Sequence, residues 1–364
     1  MSRKTVFISG GGTGGHLYPA LVFGQTLKRL RPDLHVFYIG SNRVVEKKIM
    51  AEQGLAFSTL PVEGLKGRGW KKIYGFSLLP LAFIKSFFLL LKYRPSLVVG
   101  VGGFSSGPMV LTASLLGRPT LIMEQNALPG FTNRKLKRWA DRVVVAFESS
   151  LTYFGEKAVA LGNPVREEFY HLPEKKREDR LTILLFGGSQ GSKFLNEKMM
   201  ASLPLLAGIK DRLQIYHQTG EKDYERVASV YRAQGFEEAV VEKYFSPMPD
   251  YLALADLVLC RAGATTCAEL IAANKPAILI PFAQAADNHQ EYNARELEKA
   301  GGAVVILERD LTPEILVRKI KHFLDNQEEL NLMADNLKKI KKENVADNIA
   351  RLALQMIAEK ERRK

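Results

Sequence analysis

The sequence predicts an α/β protein of two domains, each built on an open parallel sheet covered by helices on both faces. Short apolar runs of strand length alternate with helical patterns from Thr5 onward, and strands separated by helices form parallel βαβ units. The alternation stops and restarts near the middle of the chain. A length of 364 residues also exceeds a single core of usual size. Finally, three of the runs end directly in glycine-rich turns, as strands do where an open sheet meets its ligand.

The first strand series covers Thr5 to Ser9, His35 to Ile39, Leu97 to Val101, Thr120 to Glu124 and Val143 to Ala146. The second covers Leu181 to Phe186, Leu213 to Gln218, Val240 to Tyr244, Leu257 to Cys260, Ala277 to Pro281 and Ala303 to Ile306. Between them lie Leu161-Gly162-Asn163-Pro164-Val165-Arg166 and the charged, proline-containing stretch Pro173 to Arg180, which reads as a boundary. The expected division is 1–163, 164–343 and a closing segment 344–364. Ligands of such sheets bind beyond the carboxyl ends of the strands, so two domains facing one another are expected to form a cleft.

Ile73 to Leu91 is almost wholly apolar, but Lys85, Pro80 and Gly75 argue against a membrane span, and the segment runs straight into a sheet strand. An ordinary buried helix is one reading. The favoured one is a partly exposed apolar surface flanked by Trp70, Lys71, Lys72, Lys85 and Lys92, lying on an anionic bilayer.

The formal charge of +13 calls for an acidic partner. Basic residues cluster at 66–72, at 134–138 and from Lys338 to the end, yet no nucleic-acid-reading motif accompanies them, so nucleic acid is not the expected partner. Cys260 and Cys267 have neither metal-ligand spacing nor partner histidines and read as reduced structural residues. The first residues lack the pattern of a secretory signal, and a cytoplasmic protein is expected.

The glycine turns are Gly10-Gly11-Gly12-Thr13-Gly14-Gly15-His16, Gly100 to Pro108, and Gly187-Gly188-Ser189-Gln190-Gly191-Ser192. Turns without Cβ atoms let backbone N–H groups close on an anionic oxygen, and a following helix adds the positive end of its dipole. Glycine turns also serve tight strand-to-helix packing. The first has the form GxGxxG, but the second strand ends in Gly40-Ser41-Asn42 without the acid that takes a dinucleotide's ribose, which disfavours NAD. His16, at the helix start, is either a cap or a general base toward an incoming hydroxyl. In the second half, Arg261 to Glu269 opens another helix with small and hydroxylated residues, a second candidate anion site. Glu269 either complements the helix dipole or accepts hydrogen bonds from the two hydroxyls of a ribose. Gln290, near another helix start, offers an amide to a sugar.

With these residues in view, the chain resembles the MurG family of peptidoglycan glycosyltransferases. The resemblance spans nearly the whole length through GGTGGHLYPA (11–20), GGFSSGP (102–108), EQNALPG (124–130), GNPVR (162–166), GGSQGS (187–192) and RAGATTCAE (261–269). It implies a GT-B fold of two Rossmann-like domains whose last helix returns to the first. It also implies inverting transfer of N-acetylglucosamine from UDP-N-acetylglucosamine to the C4 hydroxyl of the muramoyl sugar of undecaprenyl-linked lipid I.

Carried over residue by residue, the resemblance implies donor contacts at Thr13, Gly14, Gly15, Asn126, Arg166 and Ser189, with the backbone of Phe245 holding uracil. It implies the diphosphate and ribose site at Ala264, Thr265, Thr266, Cys267, Ala268 and Glu269, and Gln290 at the sugar. Gly102, Gly103, Phe104 and Ser105 form the expected acceptor loop, His16 is the expected catalytic base, and Trp70, Lys71, Lys72, Phe76, Leu79, Phe83 and Phe87 form the expected membrane patch. Phe104 stands where tyrosine is usual, and His289 where some relatives carry glutamine. No Asp-x-Asp motif stands at a cleft-like position, so no metal or other cofactor is expected. The expected location is the cytoplasmic face of the cell membrane, peripherally bound to its anionic surface, with cell-wall synthesis proteins as further partners. Two rivals remain open: a non-hydrolysing sugar-nucleotide epimerase, and a non-enzymatic nucleic-acid-binding or scaffold protein.

Overall fold

The computed structural model describes residues 4–11, 14–62, 77–173, 175 and 179–362. Thr13, Trp70, Lys71, Lys72 and Phe76, named above as site or patch residues, lie outside the described residues. The chain forms two compact units: Met1–Val165 together with Lys342–Lys364, and Arg166–Lys341. The crossings fall after Val165 and before Lys342 rather than after Asn163 and before Asn344. The reason is local. Lys342 Nζ already donates to the Ala160 carbonyl and pairs with Glu148, and Val345 packs against Gly162.

The first unit holds a seven-stranded parallel sheet, β1 (Thr5–Ser9), β2 (His35–Gly40), β3 (Phe57–Thr59), β4 (Leu97–Gly100), β5 (Thr120–Glu124), β6 (Arg142–Val145) and β7 (Ala158–Ala160), in the order β3-β2-β1-β4-β5-β6-β7. The second holds β8 (Leu181–Phe186), β9 (Leu213–Gln218), β10 (Val240–Glu242), β11 (Leu257–Cys260), β12 (Ala277–Leu279) and β13 (Ala303–Val305), in the order β10-β9-β8-β11-β12-β13. In both sheets the order reverses beside the first strand, between β1 and β4 and between β8 and β11. At such a switch point the loops leave in opposite directions and open a crevice at the carboxyl ends. Each of the three glycine turns, and the Arg261 loop, follows one of these four strands.

Helices α1 (Gly14–Leu30), α2 (Val44–Glu52), α3 (Leu79–Tyr93) and α4 (Ser106–Leu115) belong to the first unit. Helices α5 (Lys193–Leu206), α6 (Ala264–Ala273) and α7 (His289–Lys299) belong to the second, and α8 (Val345–Arg362) returns to the first. Ile349, Ala350, Ala353, Met356 and Ile357 of α8 are buried in one core with Phe23 and Leu27 of α1 and with Val99 and Leu121 of the sheet. Burial of each large apolar side chain there is worth about 1.5–3 kcal/mol before ordering costs. Lys4 pairs with Glu361, and Arg29 with Asp347, fastening both ends of the helix. The second unit closes its own core around strand residues such as Ile183 and Leu259, packed with Met199, Leu203, Ile320 and Phe323.

Helix α3 buries Ala82, Ser86 and Leu90, one residue per turn, and turns Leu81, Ile84, Phe87, Phe88 and Leu91 to solvent. Leu79 and Phe83 are half-buried rather than displayed. The apolar face is therefore rotated from the expected one, and Phe87 is the described member of the expected patch that stands fully on it. No helix among the described residues is long and apolar enough to cross a membrane.

Candidate active site

In the first unit, the turns after β1 and β4 interlock. Gly103 adopts φ +80°, and a Cβ on it would stand 2.1 Å from the Gly11 carbonyl oxygen; on Gly102, at φ +89°, it would stand 2.8 Å from His16 Cε1. Only glycine permits this approach, so the imidazole at the start of α1 lies directly against the second turn. Ser106 Oγ donates to the Ser9 and Gly102 carbonyls, and Ser105 Oγ to the Ile39 carbonyl at 3.4 Å. Both hydroxyls are buried. In the expected acceptor loop the Ser105 hydroxyl is thus engaged within the fold, while Phe104 packs its ring against the sheet core.

His16 Nδ1 lies 3.0 Å from Gln125 Oε1, and Gln125 Nε2 donates to the Met123 carbonyl. That second bond fixes which end of the amide faces the histidine. Because the facing oxygen can only accept, Nδ1 carries the proton of the neutral ring, and Nε2 is the basic nitrogen. Glu124, also buried, accepts from the Asn126 and Gly130 N–H groups and from the Asn126 and Asn133 side-chain amides. The carboxylate moulds the turn that carries Gln125 and Asn126.

An acid does reach the end of β2, contrary to the reading of residues 40–42 alone. Glu46, from the first turn of α2, is buried and accepts from both Ser41 N–H (2.8 Å) and Ser41 Oγ (2.9 Å). Those bonds engage both carboxylate oxygens within the fold. The signal was a glutamate one turn into the next helix, which sequence spacing alone does not bring to the strand end.

In the second unit, Gly263 caps α6 without a side-chain bond, and Cys267 N–H donates to the Gly263 carbonyl, opening the intrahelical ladder. The N–H groups of residues 264–266 precede that ladder and stand at the positive end of the dipole. Cys267 and Cys260 are buried free thiols, and burial pushes Cys267 up to about 12, so Cys267 offers backbone only. Ala268 is half-buried in the same turn. Glu269 keeps a part of its side chain at the surface, but its carboxyl end is deep enough that burial pushes its pKa up to about 7, with Arg166 opposing the rise. Arg166 is exposed and stacks over Phe169 at 5.1 Å. Gln290 Oε1 accepts from Phe282 N–H at 3.0 Å, so the other end of the amide is its donor end. His289 Nδ1 donates to the Ala286 carbonyl and closes the turn before α7.

Arg261 is not an open anion clamp. Its guanidinium is buried, pairs with Glu308 at 2.6 Å and donates to Ser192 Oγ and to the Ile280 carbonyl. It ties the third glycine turn to the loops after β11 and β12. Ser189 is exposed on that turn. Phe245 is buried, stacked on Tyr251 at 4.0 Å, and its N–H donates to Gln218 Oε1 at 2.8 Å. Sequence reasoning gave no role to Glu46, Gln125 or Gln218, because each acts through a partner that local spacing does not reveal. Among the described residues, no group of three His, Cys, Asp or Glu side chains comes together as a metal site would require.

Comparison with known proteins bears on both units. Residues 6–145 match the glycosyltransferase family 28 N-terminal domain, and residues 182–349 the family 28 C-terminal domain. The chain is 44% identical over 357 residues to the UDP-N-acetylglucosamine--N-acetylmuramyl-(pentapeptide) pyrophosphoryl-undecaprenol N-acetylglucosamine transferase of Anaeromyxobacter sp. (strain Fw109-5), covering 97% of this chain and 93% of that one. It is 42% identical over 365 residues to the protein of the same name from Desulfitobacterium hafniense (strain Y51), covering 96% and 98%. The crystal structure of Acinetobacter baumannii MurG superposes with a TM-score of 0.80 at 28% identity, covering 97% of this chain and 99% of that one. A putative UDP-N-acetylglucosamine 2-epimerase from Listeria monocytogenes shares the fold at a TM-score of 0.69, with 13% identity and coverage of 98% and 96%.

Proposed function

The chain belongs to glycosyltransferase family 28, and from that premise we propose that it moves N-acetylglucosamine from UDP-N-acetylglucosamine to the C4 hydroxyl of the muramoyl sugar of lipid I, giving lipid II. It is a hexosyltransferase of cell-wall synthesis with the two domains of the GT-B fold. The observation that carries this reading is identity of 42–44% running through both units to relatives of that name. Fold alone would not separate it from an epimerase, whose architecture is shared.

In the proposed reaction, Nε2 of His16 takes the proton from the C4 hydroxyl as that oxygen bonds to the anomeric carbon. The bond from that carbon to the diphosphate breaks in the same displacement, with inversion, and UDP leaves with the electron pair. The helix start at 264–266 and Arg166 offset the charge that grows on the departing diphosphate. Glu269 accepts from the ribose hydroxyls, and the Gln290 NH₂ donates to the sugar. These groups support handling of the diphosphate without a metal ion.

The test is transfer of labelled sugar to a short-chain lipid I analogue, with donor alone as control and a chelator arm. Acceptor-dependent release of UDP with a labelled disaccharide lipid, unchanged by chelator, is the expected result. Donor isomerised without acceptor would instead identify an epimerase.

The lipid acceptor gives a purpose to the exposed apolar face of α3, and Leu115 and Leu116 at the end of α4 are exposed as well. The proposed location is the anionic cytoplasmic membrane surface, with Lys85 and Lys92 near the headgroups. Replacing Phe88 and Leu91 by serine is expected to lower binding to anionic vesicles about tenfold in sedimentation, while turnover of a water-soluble acceptor stays unchanged. Equal sedimentation of both proteins would remove the membrane role.

A further inference from the structure

The third glycine turn is held by a side chain that no motif singles out. Gln218, the last residue of β9, is 1% exposed. Its Nε2 donates to the Gly188 carbonyl at 3.0 Å, and its Oε1 accepts from Phe245 N–H at 2.8 Å. One amide therefore bridges the turn after β8 and the loop after β10, the turns that flank it on either side.

Two further features fix the place from which it reaches. The turn at 187–192 lies backbone against backbone on residues 219–220: a Cβ on Gly191 (φ +72°) would stand 2.0 Å from the Thr219 carbonyl oxygen, and one on Gly220 (φ +80°) 2.4 Å from that of Gln190. Behind it, His217 bonds Tyr231 and Asn196, and Asn196 donates to the Thr219 carbonyl and to Asp223. The end of β9 is thus packed and hydrogen-bonded on both sides, and the amide of Gln218 has both its oxygen and one N–H engaged across it.

We infer that Gln218 is a positioning residue of the donor site, setting the spacing between the Gly188–Ser189 turn and the Phe245 backbone so that a nucleoside diphosphate finds both already in place. The inference deepens the function proposed above and depends on it for the identity of the ligand. An amide is the fitting side chain because the two groups it bridges differ in kind, one a carbonyl and the other an N–H. Methionine has the same length and offers neither bond. Asparagine offers both and lacks the reach.

The experiment compares wild type with Gln218→Met and Gln218→Asn for KM of UDP-N-acetylglucosamine, KM of the acceptor analogue and kcat, alongside amide hydrogen exchange in the ligand-free proteins. Both variants are expected to raise the donor KM about five- to thirtyfold, with kcat and acceptor KM within about twofold of wild type. Exchange is expected to quicken at Phe245 and at 187–192, while β8 and β11 keep their protection. A donor KM unchanged in the variant that folds overturns the inference, as does a parallel loss of kcat and acceptor KM, which would mark a general structural role. Failure of the wild type to bind UDP would sink the proposed function instead, and the exchange comparison would still decide whether the bridge exists.

Discussion

The two units share one plan, a parallel sheet whose order reverses beside its first strand, with glycine turns at the reversal, yet they differ in the polar side chains they keep beside those turns. In the first unit, Ser105, Ser106, Glu46 and Glu124 turn inward and hold backbone, and the His16 imidazole, bonded to Gln125, lies against the second glycine turn. In the second, Arg261, Asn196 and Gln218 also hold backbone, while a helix start without a side-chain cap, a carboxyl with a raised pKa and an amide whose oxygen is engaged follow β11 and β12. On the function proposed above, the first half holds the reactive nitrogen and the second binds the donor. The two histidines make the same point. His16 is oriented by Gln125 against the second glycine turn, whereas burial pushes His217 down to about 3 and leaves it a neutral link in a hydrogen-bonded chain.

The largest expected break in that comparison is His16→Ala. It should lower kcat by ~10² to 10⁴ with acceptor saturating, while the donor KM moves less than about threefold. Near-normal kcat would take the base role away from this residue.

Glu269→Gln should show the opposite pattern, raising the donor KM about 10- to 100-fold through two weakened hydrogen bonds to a charged acceptor. The wild-type carboxyl titrates at about 7, and a ribose diol favours its charged form, so donor affinity should climb as pH rises from about 6 to 8. The variant should lack that climb; a climb of equal size in both proteins would assign it elsewhere. Stability should move the other way. The folded carboxyl holds its proton above the ordinary value of 4.5, so its contribution is full below pH 4.5 and declines as pH rises toward 7. Chemical denaturation should therefore find the glutamine variant more stable than wild type at about pH 8, by about 1–3 kcal/mol, and equal to it at about pH 4.

The smallest effect sharpens the comparison within the first unit. Gly103→Ala places a methyl group against the Gly11 carbonyl at positive φ, and should cost about 1–3 kcal/mol of stability in thermal melts. Its kinetic cost should appear in the acceptor KM and kcat, leaving UDP affinity unchanged by calorimetry.

Much of this architecture can be read from the chain itself. Strands β1, β4, β5, β8 and β11 are buried at every position and appear as largely apolar runs. Strands β3 and β7 escape such a reading because they are three-residue, half-buried edges with no run to see. At the candidate site, glycine spacing and His16 are visible because they depend on neighbours in sequence. The tautomer set by Gln125, the inward turn of Ser105 and the engagement of Arg261 with Glu308 depend on partners far along the chain, which no local pattern encodes. The rotation of the α3 face is of the same kind: nearly every position there is apolar, so only packing against α4 decides which side is covered.

The return of α8 has a consequence for synthesis. A ribosome makes all of Arg166–Lys341 before it makes the helix that completes the core around Phe23 and Leu27. At ~5–20 residues per second, the first half waits on the order of ten seconds or more with that apolar face uncovered. The half encoded second is the first to have its whole sequence available, and the newborn N-terminal sheet is the part of this protein that a chaperone would have most time to meet.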